Sequence, residues 1–329
     1  MQDSFKAFRI HAGKDFERAG IETLSLEDLS AGNVVIKVEY SSVNYKDALA
    51  GTGKGKILRA SPLNGGIDLA GMVVSSESDA VQVGQTVLVN GSGLSEVHDG
   101  GYSQYARVPA DWVVPMPKGL TTRTSMIIGT AGFTAALAIQ RLQDNHQTAE
   151  HGPVLVTGAT GGVGSFAIQL LSQLGYHVVA MTRKQDTHHY LHSLGAKEII
   201  SPDEIKVDTV AMHKGRWGAA IDNLGGDTLA WLTKSVKPWG NIVSIGMAGG
   251  VNVSTTTMPF ILRGISLLGV SSASCPQALR KQIWDKLGDE LLPNNLDQMC
   301  TAEVNLETLT DAFSSLLQGK AHGRQIVCL

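Results

Sequence analysis

The stretch PVLVTGATGGVGSFAIQLLSQL, residues 153–174, decides the fold. Pro153 to Thr157 is short, apolar and β-branched, the pattern of a buried parallel strand. A turn follows that carries Gly158, Gly161, Gly162 and Gly164. Apolar residues then fall at Val163, Phe166, Ala167, Leu170, Leu171 and Leu174, one face of a helix. Strand, glycine turn and helix start in that order make a phosphate cradle. Gly161 lets the backbone approach a pyrophosphate, Gly164 lets helix and strand pack closely, and the helix N-terminus supplies N–H groups and positive potential. The first glycine of the GxGxxG pattern is Ala159 here, so the turn needs support from the strand that follows.

That support comes from Tyr176 to Met181, a second strand ending in Thr182, Arg183 and Lys184, about twenty residues past Gly161. In a dinucleotide fold this position meets the adenosine ribose. A carboxylate there binds the 2′-hydroxyl of NAD, whereas an Arg-Lys pair with a hydroxyl suits the 2′-phosphate of NADP. NADPH is the expected cofactor, against the plainer reading of Arg183 and Lys184 as surface charges. Further strands follow at 219–222, 240–246 and 265–270, most of them separated by helical segments, so the chain is α/β with a doubly wound parallel sheet. Gly246, Met247 and Ala248 follow a strand's C-terminal end and are expected to face the nicotinamide half. His188 and His192 have the i, i+4 spacing of metal ligands. No HExxH carboxylate or nearby cysteine accompanies them, so a solvated helix face is the favoured reading and no metal is expected.

The first third of the chain reads differently. Residues 4–10 and 33–40 alternate as strands, and the polar 15–31 reads as a connection. Asn44, Tyr45, Lys46 and Asp47 directly follow a strand, where site residues often sit; taken alone they read as a helix entry capped by Asn44. Lys54, Lys56 and Arg59 lie in a glycine-rich loop, either solvated or a clamp for an anionic substrate tail. Asp68 begins a strand after a glycine turn. Six or more short strands by residue 115 argue for a barrel-like β domain. Residues 125–142 form an apolar, alanine-rich helix, too short and interrupted for a membrane span. The tail holds helices at 277–287 and 306–317 and strands near 299–305 and 324–329. These last strands have no room in the parallel sheet and should return to the first domain. The expected division is 1–125 with 271–329, and 126–270.

A length of 329 residues fits two domains, and a composition 43% hydrophobic and 17% charged can bury a large core. The net charge of -3 gives no reason to expect nucleic acid, and no apolar run approaches a membrane span. Cys275, Cys300 and Cys328 lie far apart without a CxxC, which suits a reducing compartment. The start MQDSFKAFRI lacks a signal-peptide core, so a soluble cytoplasmic protein is expected.

Over essentially its whole length the chain resembles the medium-chain dehydrogenase/reductase superfamily. The resemblance rests on NYKD (44–47), GIDLAG (66–71), GGYSQYARVP (100–109), GTAGFTA (129–135), TGATGGVG (157–164) and HGRQIV (322–327). Within it the chain is similar to the zinc-independent quinone oxidoreductases. PFILRGISLLGVSS (259–272), MIIGTAGFTA (126–135) and DTHHYLHSLGA (186–196) look like the bacterial acrylyl-CoA reductase group. The resemblance implies a GroES-like catalytic domain beside a Rossmann domain. The zinc alcohol dehydrogenases need an early cysteine and a GHE triplet; here these positions read SSVNYKD and Gly66, Ile67, Asp68, and the four-cysteine lobe is missing. It therefore implies metal-free hydride transfer from NADPH to the β-carbon of a 2-enoyl thioester, acrylyl-CoA to propanoyl-CoA. Tyr45 is implied as nicotinamide contact or proton donor, Asn44 and Asp47 as holding the substrate pocket or orienting Tyr45, and Asp68 as a second polar catalytic candidate near the cleft. Cofactor contacts are implied at Tyr45, Thr130, Thr134, Thr160, Gly161, Gly162, Val163, Thr182, Arg183, Lys184, Gly246, Met247 and Ser272, and CoA phosphates at Lys54, Lys56 or Arg59. The alternatives are an NADPH:quinone oxidoreductase and, in another class, a non-catalytic NADPH-binding protein. A homodimer paired through the edge at 265–270 is expected by analogy.

Overall fold

The computed structural model describes residues 3–205 and 208–329. The chain forms two compact units, one running up to Phe133 and resuming at Ser272–Leu329, the other Thr134–Ser271. The breaks thus fall at 133/134 and 271/272, against the expected 125/126 and 270/271.

The second unit is built on six parallel strands. In spatial order they are Glu198–Ile200, Val178–Met181, Val154–Val156, Trp217–Asp222, Val236–Ser244 and Ser266–Gly269. Numbered along the chain this is 3-2-1-4-5-6, the doubly wound order whose direction reverses between Val154–Val156 and Trp217–Asp222. Ligands of such sheets bind outside the C-terminal strand ends at that reversal. The core is Leu155, Val179, Met181, Trp217, Leu229 and Leu232 with their neighbours, all buried. Buried runs such as Val154–Val156 have no polar face because helices pack on both sides of a parallel sheet.

In the first unit the strand Val34–Ser42 pairs antiparallel with Asp68–Ser76, Tyr105–Val108 and Arg324–Cys328. Cys300–Val304 lies parallel to Arg324–Cys328, so both late strands join the sheet that the early strands begin. Val34, Ile36, Val38, Leu69, Val73, Val87, Val89 and Val108 fill one core cluster. Phe8, Tyr102 and Phe313 pack tilted and edge to face in another.

Two features differ from the sequence expectation. Phe16–Leu24, read as a connection, is a strand that pairs with Phe5–Ala12 from Phe5↔Leu24 to Ala12↔Phe16. Most of its side chains are exposed or half-buried, so the ladder hydrogen bonds hold it and no apolar alternation marks it. The apolar helix runs Thr122–Asp144, 23 residues, and is broken at Gly129, where φ is 48° and ψ -159°. By length and composition it could cross a membrane, but 83% of its most apolar window is buried inside the protein. A methyl at Gly129 would meet Ser42 Oγ at 2.6 Å and Arg324 Nη2 at 2.8 Å, so the break needs glycine twice over, for its φ and for its closeness.

Candidate active site

The glycine turn is set in the second unit as a phosphate cradle. Val154–Val156 runs into Gly158, at φ 57°, and the helix Gly162–Gln173 starts behind Gly161. A methyl at Gly164 would sit 2.4 Å from the Gly158 carbonyl oxygen, so only glycine lets the helix pack against the turn. A methyl at Gly161 would meet nothing nearer than that oxygen, at 3.4 Å. Gly161 is exposed at the helix start, and the first N–H groups of a helix have no intrahelical partners. Space, donors and helix dipole together fit a pyrophosphate.

The turn after Trp217–Asp222 is locked to this cradle. Asp222 is fully buried and accepts from Thr157 Oγ1 (2.6 Å) and from Gly225 N (2.8 Å). Burial pushes its carboxyl up. Asn223 donates from its backbone N to Thr157 Oγ1 and from its side chain to Thr157 O. Sequence reading placed a strand here but missed both residues; the DNLGG turn beyond the strand was the available signal. Gly246 sits where a methyl would lie 2.3 Å from Asn223 O, and Met247 is 69% exposed. Thr182 closes the strand Val178–Met181, and its Oγ1 accepts from Lys184 N (3.0 Å). Arg183 is solvent-facing, 3.7 Å from Asp203, and both side chains are largely exposed. Burial lowers the Lys184 ammonium. No carboxylate stands among Thr182, Arg183 and Lys184, so these residues fit a 2′-phosphate.

In the first unit the NYKD tetrad separates by depth. Tyr45 starts the helix Tyr45–Gly51 and is 49% exposed. Asn44, at the N-cap, and Asp47 are buried. Asp47 Oδ2 accepts from Asn44 N (3.0 Å) and Asn44 Nδ2 (3.1 Å), and its Oδ1 from Ile67 N (3.0 Å). Asp68 is fully buried and accepts from Ser42 N (3.1 Å), Ser42 Oγ (2.8 Å), Asn44 Nδ2 (3.2 Å) and Thr130 N (2.8 Å). The Gly129 break is what aims the Thr130 N–H at this carboxylate. Arg324 donates to Ser42 Oγ (2.6 Å), Val43 O and Ile127 O, and Tyr102 OH donates to Ser42 O. Asp47 and Asp68, expected among the catalytic groups, are thus buried and accept hydrogen bonds from protein donors. Ser42, Tyr102 and Arg324 were not singled out from the sequence.

The three cations of the basic loop are placed differently. Lys54 is exposed, and Lys56 lies 3.6 Å from Asp15, both side chains 86% exposed. Arg59 instead lines a separate cavity of the first unit. Lys46 is ion-paired with Glu96. Thr130 and Ser272 belong to the first unit and Thr134 and Thr160 to the second; Thr134 and Thr160 are buried. His192 Nδ1 is 2.8 Å from Ala196 O, a contact within its own helix end. Among the described residues no three His, Cys, Asp or Glu side chains gather where a metal would sit, and the donors around Asp68 do not fit a zinc centre.

Burial, and after it the charge of Asp68, pushes the Asp47 carboxyl up to about 7, against the pull of its N–H donors. An ordinary Asp titrates at about 4, so folding takes up a proton between about pH 4 and 7. The stability this contributes is fully present below about pH 4 and is lost as pH rises through 7. We expect the melting-temperature difference between wild type and Asp47→Asn, whose amide cannot ionise, to shift against wild type from pH 5 to pH 8. A difference that stays constant over that range would contradict the assignment.

Comparison with known proteins agrees with this architecture. Residues 30–118 match the family described as alcohol dehydrogenase GroES-like domain, and residues 162–288 the family described as zinc-binding dehydrogenase. The chain is 43% identical to a putative quinone oxidoreductase of Bacillus subtilis, covering 100% of both. It is also 43% identical to an acrylyl-CoA reductase of Ruegeria pomeroyi, covering 94% of both. A solved Escherichia coli structure with bound NADPH is 41% identical, with a TM-score of 0.94 over 98% of this chain and 99% of that one. A solved Bacillus subtilis structure with NAD bound is 43% identical, with a TM-score of 0.95 over 100% of both. The chain belongs to the medium-chain dehydrogenase/reductases, in the zinc-independent group that holds these quinone oxidoreductase and acrylyl-CoA reductase relatives.

Proposed function

We propose that this chain reduces the activated C=C bond of a short 2-enoyl-CoA, acrylyl-CoA to propanoyl-CoA, with NADPH and without a metal. The observation that carries the cofactor is the Thr182-Arg183-Lys184 run at the end of the second parallel strand. The 43% identity to an acrylyl-CoA reductase over 94% of both chains supports the substrate. NADPH, when bound, supplies a hydride to the β-carbon of the thioester. The N–H groups of Gly162 and Val163 hold the pyrophosphate behind Gly161, and Arg183 and Lys184 hold the 2′-phosphate. Tyr45, exposed on a helix start, contacts the nicotinamide or gives the α-carbon its proton. Asn44, bridging Asp47 and Asp68, fixes the backbone that carries Tyr45. The quinone oxidoreductase alternative stands on a relative of equal identity. Steady-state oxidation of NADPH and NADH with acryloyl-CoA and benzoquinone separates the readings. The expected result is NADPH over NADH, acryloyl-CoA over benzoquinone, and a kcat about 100-fold lower in Tyr45→Phe if the tyrosine transfers the proton. Preference for benzoquinone replaces the main reading, and unchanged turnover in Tyr45→Phe leaves the tyrosine only a cofactor contact.

The same reading includes a homodimer and a reducing, cytoplasmic setting, the latter supported by three free cysteines. Ser266–Gly269 is an edge strand of the parallel sheet, with Leu267 42% exposed. Ile261, Leu262 and Trp239 of the same unit are 75%, 62% and 76% exposed. An apolar edge of this kind calls for cover by a second copy. Light scattering after size exclusion should give twice the 34.9 kDa chain mass, and Leu267→Lys should halve it. A monomer for the unaltered chain at micromolar concentration would sink the dimer.

A further inference from the structure

Asp222 is a buried carboxylate that the proposed reaction leaves without a task. It lies fully buried at the C-terminal end of the strand Trp217–Asp222, where the strand order reverses. Its carboxylate accepts from Thr157 Oγ1 (2.6 Å), Gly225 N (2.8 Å) and Leu224 N (3.3 Å). All three donors are neutral. Burying a charge among neutral donors is a costly way to close a turn, and it gains hydrogen bonds stronger than a neutral acceptor would make. The shortest of them, to Thr157, is the one that leaves the turn.

Thr157 faces two ways. It is fully buried at the end of the apolar strand Val154–Val156, one residue before the positive-φ Gly158 that opens the cradle. Its hydroxyl donates to Asp222 and accepts from Asn223 N (3.0 Å), and its carbonyl accepts from Asn223 Nδ2 (2.8 Å). On its other side the same turn carries residues 246–250. Asp222 O accepts from Ile245 N (2.9 Å), Leu224 O accepts from Gly249 N (2.7 Å), and Gly225 forms a β-bridge with Gly250. A methyl at Gly225 would lie 2.6 Å from Gly250 O, and one at Gly246 2.3 Å from Asn223 O, so the segment rests directly on the backbone of the turn. A continuous series of hydrogen bonds thus runs from the cradle through Thr157 and Asp222 to residues 246–250. One end of the series is where a pyrophosphate fits. The other follows a strand's C-terminal end, where the nicotinamide half is expected.

We propose that Thr157, acting through Asp222 and Asn223, is a positioning residue for the nicotinamide half of NADPH: its hydroxyl holds residues 246–250 in place relative to the phosphate cradle. The cradle does not need that hydroxyl, because its own shape is set by Gly158 and Gly164. Loss of the hydroxyl therefore leaves the adenosine and pyrophosphate contacts in place and loosens the nicotinamide side. The proposal rests on the NADPH reading above and is independent of the acceptor.

The test is calorimetric titration of the whole chain with NADPH and with 2′-phospho-ADP-ribose, which is NADPH without its nicotinamide. Thr157→Val keeps the side-chain shape and removes the hydroxyl. It should raise the Kd for NADPH by about 10-fold, as loss of a hydrogen bond to a charged group does, with the Kd for 2′-phospho-ADP-ribose within about twofold. Thr157→Ser, which keeps the hydroxyl, should bring NADPH binding back toward that of the unaltered chain. Asn223→Ala removes the second tie from a half-buried position and should show the same selective loss; it carries the test if Thr157→Val does not fold. Equal losses for the two ligands, or no loss for either, would overturn the positioning role and leave the NADPH reading intact. An unaltered chain that binds 2′-phospho-ADP-ribose and NADPH no better than buffer ions would overturn the NADPH reading and the proposal with it.

Discussion

The carboxylate of Asp68 is the constraint on which the first unit depends. A fully buried charge must be met by donors or it is prohibitively costly. Here Ser42, Asn44 and Thr130 supply them from a strand end, a helix entry and the middle of a long helix. Meeting the third donor forces the backbone at Gly129 into a positive φ and splits the helix. Arg324, four residues before the end of its strand, completes the arrangement by donating to Ser42 Oγ and to two carbonyls. Removing Asp68 would strand four buried donor contacts beside a buried guanidinium, a loss of about 3–5 kcal/mol by analogy with broken buried ion pairs. Asn44 links this network to the helix that begins with Tyr45. That side chain touches both buried carboxylates and sits at the N-cap of the helix on which Tyr45 is exposed.

The second unit answers a different requirement. Its phosphate cradle is made of backbone, so the conditions on its sequence are steric. Gly164 is required by a carbonyl 2.4 Å from where a methyl would be, and Gly158 by its positive φ. Asp222 then uses its carboxylate to fix its own turn through Gly225 N, and Thr157 ties that turn to the cradle by hydrogen bonds with Asp222 and Asn223. Ala159 in place of the usual first glycine costs nothing, because the turn's positive φ falls on Gly158.

What was legible in the sequence follows from range. The cradle, the Thr182-Arg183-Lys184 run and the alternation of strands and helices are local patterns, and the sheet has the order that alternation implies. Phe16–Leu24 was illegible because its stability comes from a partner strand and its own side chains are mostly polar and uncovered. NYKD marked the right segment but not its depth. Only the fold shows that Tyr45 is exposed while Asn44, Asp47 and Asp68 are buried. Arg324 was beyond reach since its partners Ile127 and Ser42 lie 197 and 282 positions away. The cavity at Arg59 is assembled from residues as far apart as 59, 112 and 280, and no spacing rule joins them.

In the proposed reaction hydride passes to carbon, and Tyr45 with its buried support serves the protonation that follows. The most direct test is to run the reaction on acryloyl-CoA with NADPH deuterated at the nicotinamide C4 and to locate the label in the product by mass spectrometry and NMR. One deuterium is expected at the β-carbon of propanoyl-CoA, with a solvent-derived hydrogen at the α-carbon. Acryloyl-CoA returned unchanged while the labelled cofactor is consumed only with a quinone, or label found at the α-carbon, would contradict it.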